Sequence, residues 1–97
     1  MADARLAALT FLEKCRRSNA WSDAVLGSVM DSAGLDGRDR GLCTAICYGV
    51  MQNMRLLDSA VSAFSSVKVN KLEPKVLDIL RISAYQLLFM DRIPPSA

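Results

Sequence analysis

The sequence predicts an all-α protein, a single domain over residues 1–97 in which about five helices bundle around one central apolar helix. Three observations predict this. Apolar residues recur at spacings of three and four through most of the chain. The segment from Glu73 to Arg92 is apolar around most of a helical circumference, so it calls for cover on several sides. The one strand-like alternation, Val67 and Val69 among polar neighbours, is too short to argue for a sheet.

The first helix is expected over Asp3 to Arg17, with Ala4, Ala8, Phe11, Leu12 and Cys15 on one face. Asp3 near its start and Lys14, Arg16 and Arg17 near its end suit the helix dipole. Ser18-Asn19 breaks it. Ser22 is placed to cap a second helix, and Trp21 before it to staple onto Leu26. The expected buried face of this helix is Val25, Val29, Met30 and Ala33, and Gly34 supplies its stop. Asp36 caps a third helix that runs to about Asn53, with Leu42, Ile46, Val50 and the close-packing Gly49 inward. A bend over Asn53 to Leu56 leads to a fourth helix from Leu57, with Ala60, Val61 and Phe64 inward. Residues 65–70 connect. Pro74 then opens the central helix, where its missing N–H costs nothing. Val76, Leu77, Leu80, Ala84, Leu87 and Leu88 line one face, and Ile79, Ile82, Tyr85 and Phe89 widen it. Ile93-Pro94-Pro95 ends it, because proline neither continues a helix nor favours one at the preceding residue.

Composition narrows the function classes. At 52% hydrophobic the chain has ample material for a core, which argues against disorder. Three cysteines without framework spacing argue against a disulfide scaffold and fit a reducing cytoplasm. The N-terminal stretch meets Glu13 and Lys14 too soon for a secretory signal. Apolar runs fall short of the ~20 residues a bilayer span needs, so no membrane partner is expected. The net charge of +2, from 12 basic and 10 acidic residues, is too balanced to establish nucleic-acid binding by itself.

Histidine is absent, which removes the commonest general base and zinc ligand. Cys43 and Cys47 share a helical face, but with Cys15 they do not complete a four-ligand metal site, and they read as small apolar residues in a helix interface. Gly34, Gly37 and Gly41 lack the lysine and preceding strand of a phosphate loop. Asp31, Asp36 and Asp39 read as caps and solvated surface. Tyr48, Tyr85 and Trp21 are not interleaved with basic residues, so they read as core or core-edge aromatics. The placement of the cations is more informative. Lys14, Arg16 and Arg17 cluster at the end of the first helix, with Arg5 on the flank of Arg16; Arg38, Arg40 and Arg55 bracket the third; Lys68, Lys71 and Lys75 lead into the last. They serve either as a solvated face with dipole-matched ends or as a phosphate-contacting patch.

The residues Asp39-Arg40-Gly41-Leu42-Cys43-Thr44-Ala45-Ile46-Cys47-Tyr48-Gly49-Val50 resemble a signature of NusB-like domains. Leu57-Asp58 looks like the start of that family's next helix. Leu72-Glu73-Pro74 through Ile93-Pro94, with Leu80-Arg81 and Tyr85-Gln86-Leu87-Leu88 inside it, is similar to its long apolar helix, and Arg5-Leu6-Ala7 fits its N-terminal arginine. The likeness covers nearly the whole chain, and its strength lies in the order and spacing of the pieces. Glu73 replaces the usual capping aspartate, and Ser83 stands where glycine is common.

Two branches share this resemblance. One is the free transcription antitermination factor, which binds RNA with a ribosomal-protein partner. The other is the N-terminal domain of the Sun/Fmu (RsmB) rRNA cytosine-C5 methyltransferase, which the run from Tyr85 to Pro94 resembles more. The resemblance therefore implies an rRNA-binding accessory domain whose catalytic domain, using S-adenosylmethionine, is not in this chain. No cofactor and no catalytic residue is expected within these 97 residues, and the chain by itself is not expected to be an enzyme. The RNA-contacting candidates are Arg5 and Arg40, at positions that match the family, and Lys14, Arg16 and Arg17 by clustering; Arg40 and Arg81 are alternatively structural, paired with acids such as Asp39 and Asp78. The family continues past this point with further helices, so a C-terminally shortened domain is expected, with an apolar face left open for a homodimer or other protein contact.

Overall fold

The computed structural model describes residues 3–90, and those residues are helical with no strand among them. Five α-helices follow in order: α1 (Ala4–Ser18), α2 (Asp23–Ser32), α3 (Gly37–Gln52), α4 (Met54–Phe64) and α5 (Pro74–Tyr85). A 3-10 turn at Val69–Lys71 precedes α5, and a π-helical turn at Gln86–Met90 extends it. The expected stop at Ile93-Pro94-Pro95 lies outside the described residues.

Local chemistry sets the starts and stops. The Asp3 side chain accepts from the N–H groups of Arg5 and Leu6, Ser22 from Val25, and Asp36 from Asp39, so each satisfies helix N–H groups that have no partner within the helix. Asn19, in the left-handed region at φ 55°, ends α1, and Gly34 at φ 68° turns the chain after α2. Asn53 separates α3 from α4; its side-chain amide donates to the Gly49 carbonyl at 2.8 Å and so satisfies one of the last α3 acceptors. The fourth helix thus begins at Met54, three residues before the expected Leu57, because one non-helical residue suffices for the bend.

The core lies between α1 and α3. Phe11, Cys43, Ile46, Cys47, Val50 and Leu57 are fully buried, with Leu12, Leu26, Val29 and Met30 around them. Leu26 takes the inward position on α2, while Val25, expected inward, is exposed. Trp21, expected to staple onto Leu26, has its ring edge-on to Phe11 of α1 at 4.7 Å and against Tyr48 of α3 at 4.7 Å. A Cβ placed on Gly49 would fall inside the Tyr85 ring, which is why glycine is needed where α3 meets α5.

The helix expected at the centre has neighbours on several sides but is incompletely covered. Helix α5 packs against α1, α3 and α4, but within it only Asp78 and Ile82 are buried. Val76, Ile79, Leu87 and Leu88 remain exposed, as does Phe64 of α4, which had been expected inward. A helical wheel gives the width of an apolar face but not the number of neighbours that cover it. Phe64, Leu87 and Leu88 thus leave α4 and the π-helical extension of α5 with an open apolar face among the described residues.

Candidate nucleic-acid interface

Helix α1 contributes most of the candidate cations. At 3.6 residues per turn its inward stripe is Ala4, Ala8, Phe11, Leu12 and Cys15, which leaves the basic residues on the outer half. Arg5 and Arg16 share the flank that faces α5. Arg5 Nε donates to Gln86 Oε1 at 3.1 Å, and Arg16 stands 3.6 Å from Asp78. Lys14 borders the opposite flank, in a shallow groove shared with Thr10, Ser28 and Ser32 between α1 and α2. Arg17 projects between the two flanks. Lys14 and Arg17 are exposed and have no ion-pair partner among the described residues.

Arg40, on α3, lies apart from this set. Its guanidinium donates to Asp31 of α2 at 2.7 Å, so its acidic partner is Asp31 and not the neighbouring Asp39. Both side chains are well exposed, so the pair contributes little stability, and Arg40 can exchange partners at small cost. Arg81 is structural. It grips Asp58 of α4 with two bonds of 2.7 and 2.9 Å and Asp78 at 3.2 Å.

Asp78 is the feature that sequence reasoning underestimated. By sequence it is one possible acidic partner for Arg81. In the structure its side chain is 5% exposed, Oδ1 accepts from Arg81, and Oδ2 has no hydrogen-bond partner. Burial pushes its pKa above the usual carboxylate value, against the opposing pull of Arg81 and Arg16. An acid three residues before an arginine in an apolar run is the signal that could have marked it. The approach of Arg16 from α1, 62 positions away, left no trace in the sequence.

The aromatic residues also gather where the sequence did not place them. Asp23 accepts from Trp21 Nε1 at 2.8 Å and from the Tyr48 hydroxyl at 2.7 Å. These bonds hold the Asp23 carboxyl below its usual value and raise the Tyr48 phenol. Trp21, Arg16 and Asp78 line one hollow, a grouping that the sequence does not show.

The thiols offer no comparable chemistry. Cys15, Cys43 and Cys47 are free and buried, as expected for small residues in a helix interface. The neighbouring Cys47 thiol and Arg40 favour ionisation of Cys43, and the same neighbourhood with burial pushes Cys47 far up. Among the described residues no three His, Cys, Asp or Glu side chains stand close enough to hold a metal, and no helix is long and apolar enough to cross a membrane.

The sequence pattern of the NusB family matches residues 2–97. A probable ribosomal RNA small subunit methyltransferase B of Bacillus subtilis is 38% identical over 90 residues, which is 93% of this chain and 20% of that protein. The corresponding Synechocystis protein is 29% identical over 97 residues, 100% of this chain and 22% of that protein. A transcription antitermination protein NusB of Coxiella burnetii is 28% identical over 72 residues, 74% of this chain and 52% of that protein. The chain thus spans about a fifth of the methyltransferase relatives and half of the antitermination relative. No solved structure matches it significantly.

Proposed function

The chain belongs to the NusB family, and from that premise we propose that it is an RNA-binding accessory domain of an S-adenosylmethionine-dependent rRNA cytosine-C5 methyltransferase. In this reading it holds rRNA for a catalytic domain encoded elsewhere in the parent protein, in the cytoplasm. The observation that carries the proposal is the alignment of 93% of the chain with one fifth of a protein named as an rRNA methyltransferase, at 38% identity. The geometry supports it with Lys14 and Arg17, which are exposed and not neutralised by any acid among the described residues. Arg5 adds a third cation, held by Gln86 but not neutralised by it. Arg16 and Arg40 join on this reading only by leaving Asp78 and Asp31. Phosphate contacts from such residues supply affinity and register, and the shape of the RNA supplies selectivity.

A titration of the 97-residue chain with small-subunit rRNA fragments tests this. Replacing Arg5, Lys14 and Arg17 together by Ala is expected to weaken binding at least tenfold at low salt while helicity stays unchanged. Equal binding by the substituted chain would remove α1 as the RNA-contacting surface. The second reading, a free antitermination factor that binds RNA with a ribosomal-protein partner, is favoured by the likeness to the Coxiella protein. Sequencing the gene beyond residue 97 separates the two, since only the first reading requires a methyltransferase domain on the same chain.

A further inference from the structure

Beside the C-terminal end of α1 is a hollow of about 340 Å³ bounded by Leu12, Arg16, Trp21, Met54, Asp78 and Arg81. Asp78 is inside it, nine-tenths or more buried, with Oδ1 held by Arg81 and Oδ2 without a hydrogen bond. Oδ2 has an ion-pair contact with Arg16 at 3.6 Å, beyond hydrogen-bond length, and the Arg16 side chain is 38% exposed and therefore able to swing aside. Leu12, Trp21, Met51 and Met54 give the hollow apolar lining, and Arg16, Asn19, Asp78 and Arg81 give it polar lining.

We propose that this hollow receives one unstacked nucleobase of the RNA whose phosphates the α1 cations hold, so the inference rests on the RNA-binding reading above. The chemistry selects the occupant. A buried carboxylate repels phosphate, so the hollow is no anion site, although the cations that line it are suited to the backbone. The missing partner of Oδ2 is an N–H donor, and nucleobase edges carry N–H donors beside acceptors. With Arg16 drawn aside, Asp78 accepts from the base N–H and the Arg16 guanidinium donates to the adjacent acceptor. Trp21 and Met54 meet the base through their apolar faces, a contact that tolerates any base because each has a π-face. The volume is at the small end of ligand sites, which suits one heterocycle.

Trp21 is the only tryptophan in the chain, so all indole emission comes from this one ring, which lines the hollow and also touches Phe11 and Tyr48. The chain is titrated at low salt with a short single-stranded RNA, and with a strand of the same length in which every base is absent. Anisotropy of a labelled strand reads binding, and tryptophan emission reads the hollow. The base-bearing strand is expected to quench Trp21 saturably and to bind about tenfold more tightly, which is about 1.4 kcal/mol. Asp78→Asn is expected to bring that ratio towards one without weakening the abasic strand; the wild-type comparison stands without it should the substituted chain fail to fold. Equal affinity for both strands with Trp21 emission unchanged overturns the nucleobase site and leaves RNA binding intact. Failure of both strands to bind overturns the RNA-binding reading, and this inference falls with it.

Discussion

Gly49 and Tyr85 meet where α3 packs on α5, and no side chain fits between them. The Tyr85 ring also stacks on Phe89 at 5.1 Å, a second neighbour that limits its movement. Gly49→Ala is therefore expected to destabilise the chain by about 1–3 kcal/mol through overpacking, despite alanine's better helix propensity. Urea unfolding followed by circular dichroism checks this, and an unchanged midpoint would show that Tyr85 moves freely. Asp23 and Asp78 make opposite contributions to pH dependence. The Asp23 pKa is lowered on folding, so its contribution is present above its unfolded value and is lost as pH falls through the folded one. The Asp78 pKa is raised, so its contribution is full below the unfolded value and is lost as pH rises through the folded one. Below about pH 4, Asp23→Asn is expected to flatten the acid loss of stability, and above about pH 4, Asp78→Asn is expected to steepen it, as measured by urea midpoints. The same slope in both variants would contradict these environments.

Among the helices, α4 and α5 are joined at their inner faces by the two-pronged grip of Arg81 on Asp58, with side-chain exposures of 15% and 30%. Arg81→Ala leaves both Asp58 and Asp78 without their main partner. The expected cost is about 2 kcal/mol, below that of a fully buried pair because water reaches Asp58. Hydrogen exchange should show the loss concentrated in α4 and α5; uniform loss across all helices would place the pair's role elsewhere. Helix starts and stops were legible in the sequence at Asp3, Ser22, Gly34, Asp36 and Pro74, because capping acts within a few residues. Covering was not legible. Val25 and Phe64 sit on apolar faces by spacing, yet which face meets a neighbour depends on segments distant in the chain. The candidate interface divided in the same way. Lys14, Arg16 and Arg17 announced themselves by clustering, whereas the meeting of Arg16 with Asp78, and the hollow they share with Trp21, exist only in three dimensions.

At the scale of the whole molecule, the open apolar face is a hollow of about 550 Å³ between α4, α5 and the π-helical turn, lined by small residues such as Ala60, Ser83 and Ala84. Phe64, 93% exposed, stands at its rim with Leu87 at 67% and Leu88 at 55%. These side chains expose on the order of 500 Å² of apolar surface, short of the roughly 800 Å² a side of a standard interface. A ring beside a hollow on one face is self-complementary under a two-fold axis. The area therefore supports weak, concentration-dependent pairing of two copies. Sedimentation velocity should show the weight-average mass rising with concentration, and Phe64→Asp should abolish the rise; a monomer at every concentration would refute the pairing.

The most direct measurement is the salt dependence of binding to a small-subunit rRNA fragment. If α1 meets RNA through its cations, the logarithm of the binding constant falls linearly with that of the salt concentration, and each cation removed from the set Arg5, Lys14 and Arg17 reduces the slope by about 0.7–0.9. Binding that is undetectable at low salt, or that salt leaves unchanged, contradicts the account.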